Sequence, residues 1–454
     1  MAEQTSGATT GMRRVLGMPA LVVFGLAYMV PLTVFTTYGV VTESTGGHLP
    51  GAYVVTLVAM LFTASSYGRM ARVHPFAGSA YTYTQQSFGR HAGFLVGWAL
   101  LLDYVFLPMI NYLVVGIYLN AQFPVVPGWV FMLAAIVLVT GLNVLGIRMV
   151  TRMNLVLIGA QAVFVVVFLV QAFRVIAGDG TASLNGIPSL TEPFFGGDTS
   201  LSRILGGAAI LCLSFLGFDA ISTLAEETRE PRRLIPRAIM ATTLIGGCLF
   251  ILLSYAGSLA FPHWQRFSSV DSAALDVLRH IGGGLLTAFF TAAYVAGAFA
   301  SAMASQASVS RILYAMGRDG VLPPRLFGRL SARFKTPAVA ILLVGLVSCV
   351  ALVITLDLAS AVISFGALAA FSFVNLSVIK HYLLDGRRRG PLAVLRYGLV
   401  PAIGVALTGW LWTSLSGITF VIGGIWVAIG VGWLLVLTRG FRRPAPKLEL
   451  EHAG

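Results

Sequence analysis

Two aspartates in this sequence lie inside long apolar runs. Asp219 follows Gly217 in the stretch Ser214–Pro231 (SFLGFDAISTLAEETREP), and Asp103 lies in the stretch Leu101–Asn111 (LLDYVFLPMIN). A carboxylate in the hydrocarbon of a membrane is costly, which makes it a candidate functional site. No lysine or arginine lies in the middle of an apolar run, so neither acid has a resident cation. Each carboxylate is therefore expected to bind a proton or a visiting cation.

This pair of acids favours chemistry with a positively charged ligand. The carboxylates can pair with a cationic substrate, and they can carry protons once that substrate leaves; both uses fit proton-coupled transport of a small amine. A carrier of anions would instead place arginines or helix N-termini at its site. A structural interpretation is also open, in which Gly217 is a packing contact and Asp219 is hydrogen-bonded between helices.

Several side chains near these acids extend the candidate substrate site. The aromatic ones are Tyr28, Tyr104, Phe215 and Phe218. Their rings can hold an ammonium group by cation–π contacts of about 2 kcal/mol when desolvated, although aromatic side chains also fill membrane bundles without any ligand. Asn111 lies seven residues after Tyr104 on the same helical face, with Pro108 bending the helix between them.

The segment after Asp219 predicts a path for protons or substrate toward the cytoplasm. Asp219, Thr223 and Glu226 have the i, i+4, i+7 spacing of one helical face, and Glu227 follows directly. Glu226 and Glu227 are candidates for proton coupling or for an inner gate. They can equally pair with the arginines that follow them, as a simple surface cluster.

Other chemistries have little support in the sequence. No Cys/His cluster has metal-ligand spacing, no Walker-type phosphate loop is present, and the histidines lie near the ends of the apolar runs. We therefore predict no metal, no cofactor, no histidine proton relay and no enzymatic activity. Sodium is the weaker alternative to the proton as coupling ion, with Ser301, Ser305 and Ser308 as candidate ligands, because small hydroxyl residues in membrane helices are more often packing contacts.

Composition indicates a polytopic membrane protein. The 454 residues are 57% hydrophobic and 10% charged, with a mean hydropathy of +0.86, whereas soluble domains are about 25% charged. The net charge of +13 does not indicate nucleic-acid binding, because the basic residues form short clusters between apolar spans. Such a distribution is typical of the orientation signals around membrane helices.

Twelve apolar spans are predicted, several of them long enough to cross a hydrocarbon core of about 30 Å as helices. Their approximate ranges are 16–41, 50–67, 93–119, 128–145, 155–173, 204–224, 234–261, 283–309, 337–355, 358–379, 399–414 and 418–437. In the first span, Pro31 removes a backbone donor and strains the preceding turn, so we expect unwinding over Ala27, Met29, Val30 and Pro31.

Charge fixes the expected orientation of these spans. With the N-terminus inside, the inner segments hold 26 of the 30 Lys and Arg residues and the outer segments hold 4. This asymmetry predicts that both termini are cytoplasmic. The first and sixth spans are both interrupted and run in opposite directions five spans apart, which indicates an inverted repeat with its site at the interruptions.

Longer strings resemble a known family. They are GLAYMVPLTVF (Gly25–Phe35), FAGSAYTYTQQSF (Phe76–Phe88), LLDYVFLPMIN (Leu101–Asn111), SFLGFDAISTLAEET (Ser214–Thr228), ASVSRILYAMGRDGVLP (Ala307–Pro323) and FGALAAFSFVNLSV (Phe365–Val378). These strings are similar to segments of the amino acid–polyamine–organocation superfamily, and within it most like the bacterial putrescine importers. Together they cover most of the predicted membrane domain.

The resemblance implies an all-α membrane protein of twelve transmembrane helices with the LeuT-like fold, a five-plus-five inverted repeat followed by two C-terminal helices. The implied divisions are an N-terminal tail (1–15), a first repeat (16–173), an extracytoplasmic loop (174–202), a second repeat (203–380), two helices (381–438) and a C-terminal tail (439–454). The implied location is a bacterial inner membrane.

The resemblance also implies a function, which is proton-coupled uptake of putrescine or a related amine by alternating access. By position, Asp219 would meet the substrate amine, and Tyr104 with Glu226 or Glu227 would be needed for uptake. The implied partners are a small cationic amine, protons and the lipid bilayer, with no nucleic acid. An amino-acid permease of the same superfamily and a non-transporting membrane subunit are the alternatives.

Overall fold

The computed structural model describes residues 16–75, 79–145, 150–178, 190–196, 200–225, 228–318, 320–331, 334, 336–388 and 390–442. Within these ranges the chain is helical, apart from turns, loops and one parallel bridge between Leu16 and Thr228. In that bridge the Arg229 N–H donates to the Leu16 carbonyl at 3.2 Å, which ties the start of the first span to the end of the sixth.

The α-helices of the described part are numbered in chain order. They are α1 Met18–Met29, α2 Thr33–Thr36, α3 Tyr38–Ser44, α4 Leu49–Val73, α5 Ser79–Phe88, α6 Arg90–Gln122, α7 Gly128–Leu145, α8 Val150–Gly178, α9 Leu201–Leu211, α10 Pro231–Ala260, α11 Ala273–Arg318, α12 Pro324–Phe327, α13 Ala338–Ser348, α14 Leu356–Ile379, α15 Pro391–Val394, α16 Val400–Thr413 and α17 Gly417–Thr438.

Ten helical segments of the described part are long and apolar enough to cross a membrane. The first and ninth predicted spans are not among them. The first is divided into α1, α2 and α3, and the ninth is the shorter apolar stretch Ala338–Leu352. The count of twelve spans therefore stays a prediction. The assignment of the protein to the helical membrane proteins does not depend on that count.

The first predicted interruption lies at Val30–Leu32. Val30 has a positive φ of 49°, and the helix resumes at Thr33 as α2. Pro31 explains the position, because it lacks an N–H and disfavours the helical conformation of the residue before it. Ala27 and Met29 were expected in the unwound segment but are helical residues of α1, since their own N–H groups precede the proline.

The sixth span is also broken, but over a longer segment than Gly217 alone suggests. After α9 the chain forms a 3-10 turn at Cys212–Phe215, passes Gly217 with φ of 121°, and forms a second 3-10 turn at Ala220–Leu224. A 3-10 helix has three residues per turn, so this turn does not have the α-helical period on which the predicted common face of Asp219, Thr223 and Glu226 depends. Glu226 and Glu227 lie outside the described residues.

Close backbone contacts hold the long helices together. α10 packs along α4, and both α11 and α14 pack along α6. At the α6–α14 contact, a Cβ added to Gly366 would lie only 2.7 Å from the Ala99 carbonyl oxygen. Small residues permit this approach, as is usual between membrane helices, and it places the middle of α6 with its Asp103 at the centre of the bundle.

Two tryptophans fasten α17 to α6. The Trp98 indole N–H donates to the Trp426 carbonyl at 2.9 Å, the Trp426 indole N–H donates to the Trp98 carbonyl at 2.8 Å, and the two rings stack at 5.2 Å. One turn further along α17, a Cβ added to Gly430 would lie 2.4 Å from the Trp98 ring. Gly430 therefore leaves the space that the tryptophan pair needs.

Gly430→Ile is expected to destabilise the protein by about 1–3 kcal/mol, because overpacking displaces Trp98. Thermal unfolding of the purified protein in detergent measures this loss. Gly432→Ile is the matched control, because a Cβ at Gly432 meets no atom within 4 Å. Equal melting temperatures for the two variants would contradict the packing described for Trp98.

Candidate transport site

A cavity of about 360 Å³ lies between the two interrupted spans and three long helices. Its size falls in the range of about 300–1,000 Å³ that is typical of small-ligand pockets. The walls come from the end of α1, the break after it, α2, α6, α8, α11 and the break of the sixth span. The lining residues used below are Tyr28, Thr36, Asn111, Gln161, Leu213, Leu216, Tyr294, Ser301, Ser305 and Ser308.

The two interrupted spans contact each other beside this cavity. A Cβ added to Gly217 would lie 2.6 Å from Cδ1 of Tyr28 and 3.1 Å from the Met29 nitrogen. Gly217 also has a positive φ, so both its conformation and its surroundings require glycine. A Cβ added to Gly25 would similarly lie 2.6 Å from Ile221. The breaks therefore form one packed unit.

Tyr28 belongs to the cavity wall and also interacts with the two predicted acids. Its side chain keeps 37% of its surface accessible because it lines the cavity. It also interacts electrostatically with both Asp103 and Asp219, and these two carboxylates interact with each other. The fold thus brings the acids of the third and sixth spans together, but neither acid itself lines the cavity.

Asp219 is held by donors from two elements. Its Oδ1 accepts a hydrogen bond from the Gly217 N–H at 3.2 Å, and its Oδ2 accepts one from the Ser79 hydroxyl of α5 at 3.4 Å. Only 7% of the residue is exposed. Hydrogen bonds of this kind stabilise the charged form of a carboxylate, and the bond to Gly217 occupies a backbone donor that the helix break frees.

Asp103 has a different environment. It is 6% exposed, and its Oδ1 is buried without a hydrogen-bond partner. No salt bridge to either acid is found among the described residues. A buried carboxylate without partners favours the protonated form over the charged one. The two acids therefore differ in hydrogen bonding, since both oxygens of Asp219 accept a bond and Oδ1 of Asp103 accepts none.

Of the two polar residues predicted on the third span, Tyr104 and Asn111, only Asn111 lines the cavity. Tyr104 lies within electrostatic range of Tyr28 and of both acids, but does not line the cavity. Asn111 lines it and donates from Nδ2 to the Leu107 carbonyl at 2.9 Å and to Ser301 Oγ at 3.2 Å.

Phe215 and Phe218 do not line the cavity, although both were predicted as substrate contacts. Both side chains are fully buried; Phe215 packs on Phe250 and Phe218 packs on Phe371, each by its ring. The residues of this break that line the cavity are Leu213 and Leu216. The irregular turns rotate the phenylalanines away from the space that a regular helix would give them.

One polar residue of the cavity was missed from the sequence. Gln161 of α8 lines the cavity, is 7% exposed, and has a buried Oε1 without a hydrogen-bond partner. A Cβ added to Gly297 of α11 would lie 3.2 Å from its Nε2. The available signal is an uncharged polar side chain well inside the fifth apolar span, one of two glutamines in that span.

The serines that were considered for sodium all line the cavity. Ser305 Oγ donates to the Ser301 carbonyl at 2.7 Å, which is the back-bonding usual for serine in a helix. Ser301 Oγ accepts from Asn111, as described above. Among the described residues no group of three or more His, Cys, Asp or Glu side chains has the arrangement of a metal site.

Comparisons with known proteins give the family. The chain matches the model of the amino acid permease family over residues 20–437. It is 42% identical over 443 residues to the low-affinity putrescine importer PlaP of Escherichia coli (strain K12), and the alignment covers 96% of each chain. The chain belongs to the amino acid permease family. This assignment confirms the predicted fold class, an all-α polytopic membrane protein with the LeuT-like fold, and makes the chain a member of a family of transporters.

More distant relatives differ in substrate. The permease is 28% identical over 456 aligned positions to the branched-chain amino acid permease BcaP of Bacillus subtilis (strain 168), covering 94% of this chain and 93% of that protein. It is 26% identical to the methylthioribose transporter of the same organism, covering 92% of each. The family therefore fixes the scaffold, and substrate choice depends on the cavity.

An aromatic cluster closes one side of the permease cavity. It consists of Phe35, Tyr118, Phe164, Phe168, Phe290 and Tyr294, all buried. Phe35 of α2 meets Phe168 and Phe290 edge to face at 5.2 Å, and its carbonyl accepts a 2.5 Å hydrogen bond from the Tyr118 hydroxyl. Thr36 is hydrogen-bonded to Tyr294 beside it. These contacts link α2, α6, α8 and α11 at the end remote from the basic connectors.

The opposite side of the permease cavity extends toward the basic connectors. Along α11 the lining passes from Tyr294 through Ser301 to Ser308, which is about 20 Å at 1.5 Å per residue. Tyr294 is buried, whereas Ser308 is exposed. Since α11 ends at Arg318, the exposed end of the cavity lies toward the face with the basic segments. The cavity wall is thus buried at its Tyr294 end and exposed at its Ser308 end.

Ser308→Cys in a variant lacking Cys212, Cys248 and Cys349 is expected to react with a charged thiol reagent from the basic face only. Inside-out vesicles and intact cells, labelled in parallel, measure this sidedness. Ser310→Cys is the matched control and should stay unlabelled, because Ser310 is fully buried two residues further on. Labelling of Ser308→Cys in intact cells alone would contradict both the opening and the predicted orientation.

Proposed function

We propose that this permease imports putrescine or a closely related amine by proton symport with alternating access. The observation that carries the proposal is the pair of buried acids Asp103 and Asp219, which interact electrostatically with each other and with Tyr28, a residue that lines the cavity. The 42% identity to a putrescine importer over 96% of both chains supports the substrate class.

Asp219 is the acid suited to the substrate. Its bonds from Gly217 and Ser79 stabilise a charged carboxylate, which attracts an ammonium group through the low-dielectric interior. The ammonium first binds against the ring of Tyr28, where the face of an aromatic ring favours a cation. Rotation of the Tyr28 side chain away from Gly217 then opens Asp219 to the cavity.

Asp103 is the acid suited to the proton. Its Oδ1 is buried and accepts no hydrogen bond, so a bound proton does not have to displace a donor. Symport needs a place for each cation at the same time. Two acids provide both places, whereas one shared acid would make proton and amine compete and would give exchange instead.

Gln161 is suited to the second ammonium of a diamine. Its Oε1 has no partner in the protein, and it lies on a different helix from Tyr28 along the same cavity. A hydrogen bond from a charged donor satisfies this oxygen and contributes about 1.5–3 kcal/mol. A monoamine lacks that donor, so Gln161 provides a means to select diamines.

Mutation of the two acids is expected to have different effects on transport. Asp219→Asn should abolish both putrescine uptake and putrescine exchange, because no charge remains for the amine. Asp103→Asn should keep exchange and lose accumulation driven by an imposed pH gradient. Radiolabelled putrescine in proteoliposomes, with and without a protonophore, measures both activities.

Glu230→Gln is the control for these acid variants, because Glu230 is a 63% exposed carboxylate paired with Arg233. It should transport as the unmodified protein does. Normal pH-driven uptake by Asp219→Asn would show that the substrate acid lies elsewhere. Uptake that ignores the protonophore in the unmodified protein would remove proton coupling.

Gln161→Leu is expected to raise the Km for putrescine about tenfold or more, through loss of one charge-assisted hydrogen bond. Inhibition of uptake by butylamine, which has one ammonium, should change by less than about twofold. Gln171→Leu on the same helix is the control. Gln171 does not line the cavity, and its Oε1 accepts a hydrogen bond from Arg174 at 3.2 Å. Equal changes in the Km for putrescine and in the inhibition constant of butylamine would show that Gln161 does not meet the second amine.

An amino-acid substrate is the second candidate, and the apolar character of the cavity favours it. Leu107, Ile110, Val114, Leu213 and Leu216 line the space, and they suit an aliphatic side chain. Such a substrate also needs donors for its carboxylate, which the broken backbone near Val30 could supply. Competition of labelled putrescine uptake by leucine but not by diamines would favour this candidate.

A further inference from the structure

A group of arginines and tyrosines lies at the basic face, away from the transport cavity. Arg69 and Arg72 come from the end of α4, Tyr382 follows α14, Arg388 lies in the loop after it, and Arg396 and Tyr397 precede α16. We call these six residues the arginine–tyrosine cluster. The sequence analysis used these arginines only as orientation signals.

Two stacked rings form the base of the cluster. Tyr382 and Tyr397 lie parallel within 10°, with ring centroids 4.1 Å apart. The Arg388 guanidinium lies 5.2 Å from the Tyr382 ring and 5.5 Å from the Tyr397 ring. Arg69 and Arg396 lie 5.8 and 5.7 Å from the Tyr397 ring. Three guanidinium groups therefore converge on one aromatic pair.

The charge of this cluster is uncompensated within the described part of the chain. The acid nearest in sequence, Asp385, is already bonded to Lys380 at 3.0 Å. Arg69 repels Arg72 and Arg396 electrostatically, and its Nη1 is buried without a hydrogen-bond partner. Like charges held together on a rigid base, with a donor left over, are suited to bind an anion.

The surroundings of the cluster identify the kind of anion. Large apolar side chains beside it are exposed, namely Leu384, Leu392, Val394, Leu395 and Leu399. In a membrane protein such a surface faces lipid chains, and basic groups at its edge lie at the depth of the headgroups. A ligand that is anionic at one end and apolar at the other fits both surfaces.

We propose that the arginine–tyrosine cluster binds the phosphate of an anionic phospholipid from the leaflet at the basic face. The planar guanidinium groups match phosphate oxygens in pairs, and the acyl chains cover the neighbouring leucines. The site joins the ends of α4 and α14 to the start of α16, so the bound lipid ties together three helices whose ends lie apart in sequence. It is independent of the substrate proposed above.

Native mass spectrometry of the full-length protein in detergent, titrated with phosphatidylglycerol and with phosphatidylcholine, tests the site. The unmodified protein should bind phosphatidylglycerol about tenfold more tightly. The double variant Arg388→Gln/Arg396→Gln should lose that preference, because two arginines at about fivefold each account for more than the tenfold difference. The pair Arg325→Gln/Arg329→Gln makes the same charge change with exposed residues elsewhere on the basic face and should bind as the unmodified protein does.

Two results would overturn the proposal. One is an equal loss of phosphatidylglycerol binding in both double variants, which would mean that general positive charge attracts the lipid. The other is displacement of phosphatidylglycerol by soluble glycerol phosphate at similar concentration, which would mean that the ligand is a free phosphate. Thermal unfolding of each variant in the same detergent verifies that folding is unchanged, since Arg388 and Arg396 are exposed.

Discussion

Backbone groups inside a membrane must find partners within the protein, and the two helix breaks make this requirement acute. At the first break, the Thr33 hydroxyl donates to the Met29 and Val30 carbonyls, and the Thr33 N–H also bonds Val30. At the second, the freed Gly217 N–H is bonded by the Asp219 carboxylate. The acid that we assign to the substrate is therefore also part of the break that makes the site.

Both interruptions could be predicted from the sequence. Pro31 and Gly217 act on the backbone directly, and local rules cover such effects. The predicted unwound segment begins too early, at Ala27. A proline lacks its own N–H and disturbs the residue before it, whereas the residues further back, including Ala27 and Met29, stay helical. In the sixth span, the prediction of a common face for Asp219 and Thr223 relies on the period of an α-helix, which the 3-10 turn does not have.

The site required contacts that no local rule supplies. Asp103 and Asp219 interact because the third and sixth spans pack in one bundle. The spacing of the two residues in the sequence does not predict this packing. Phe215 and Phe218 were plausible as rings near an acid, yet packing against Phe250 and Phe371 turns them from the cavity. Gln161 could not be predicted in the same way, because a neutral amide costs less in a membrane than a charge does and its presence there is a weaker sign of function.

In the mechanism that we propose, the contact between the two breaks links substrate binding to movement, as follows. Tyr28 ends near the first break, packs on Gly217 in the second, and lines the cavity. An ammonium drawn toward Asp219 competes with the Gly217 N–H for the same carboxylate and displaces Tyr28 from its packing position. Both effects loosen the unit formed by the two breaks. The aromatic cluster is fixed to α2 through Phe35, directly after the first break, so the loosening acts on the closed side of the cavity. A substrate that neutralises the acid pair thereby alters the contacts that hold that side shut, whereas an uncharged molecule of the same size leaves them in place.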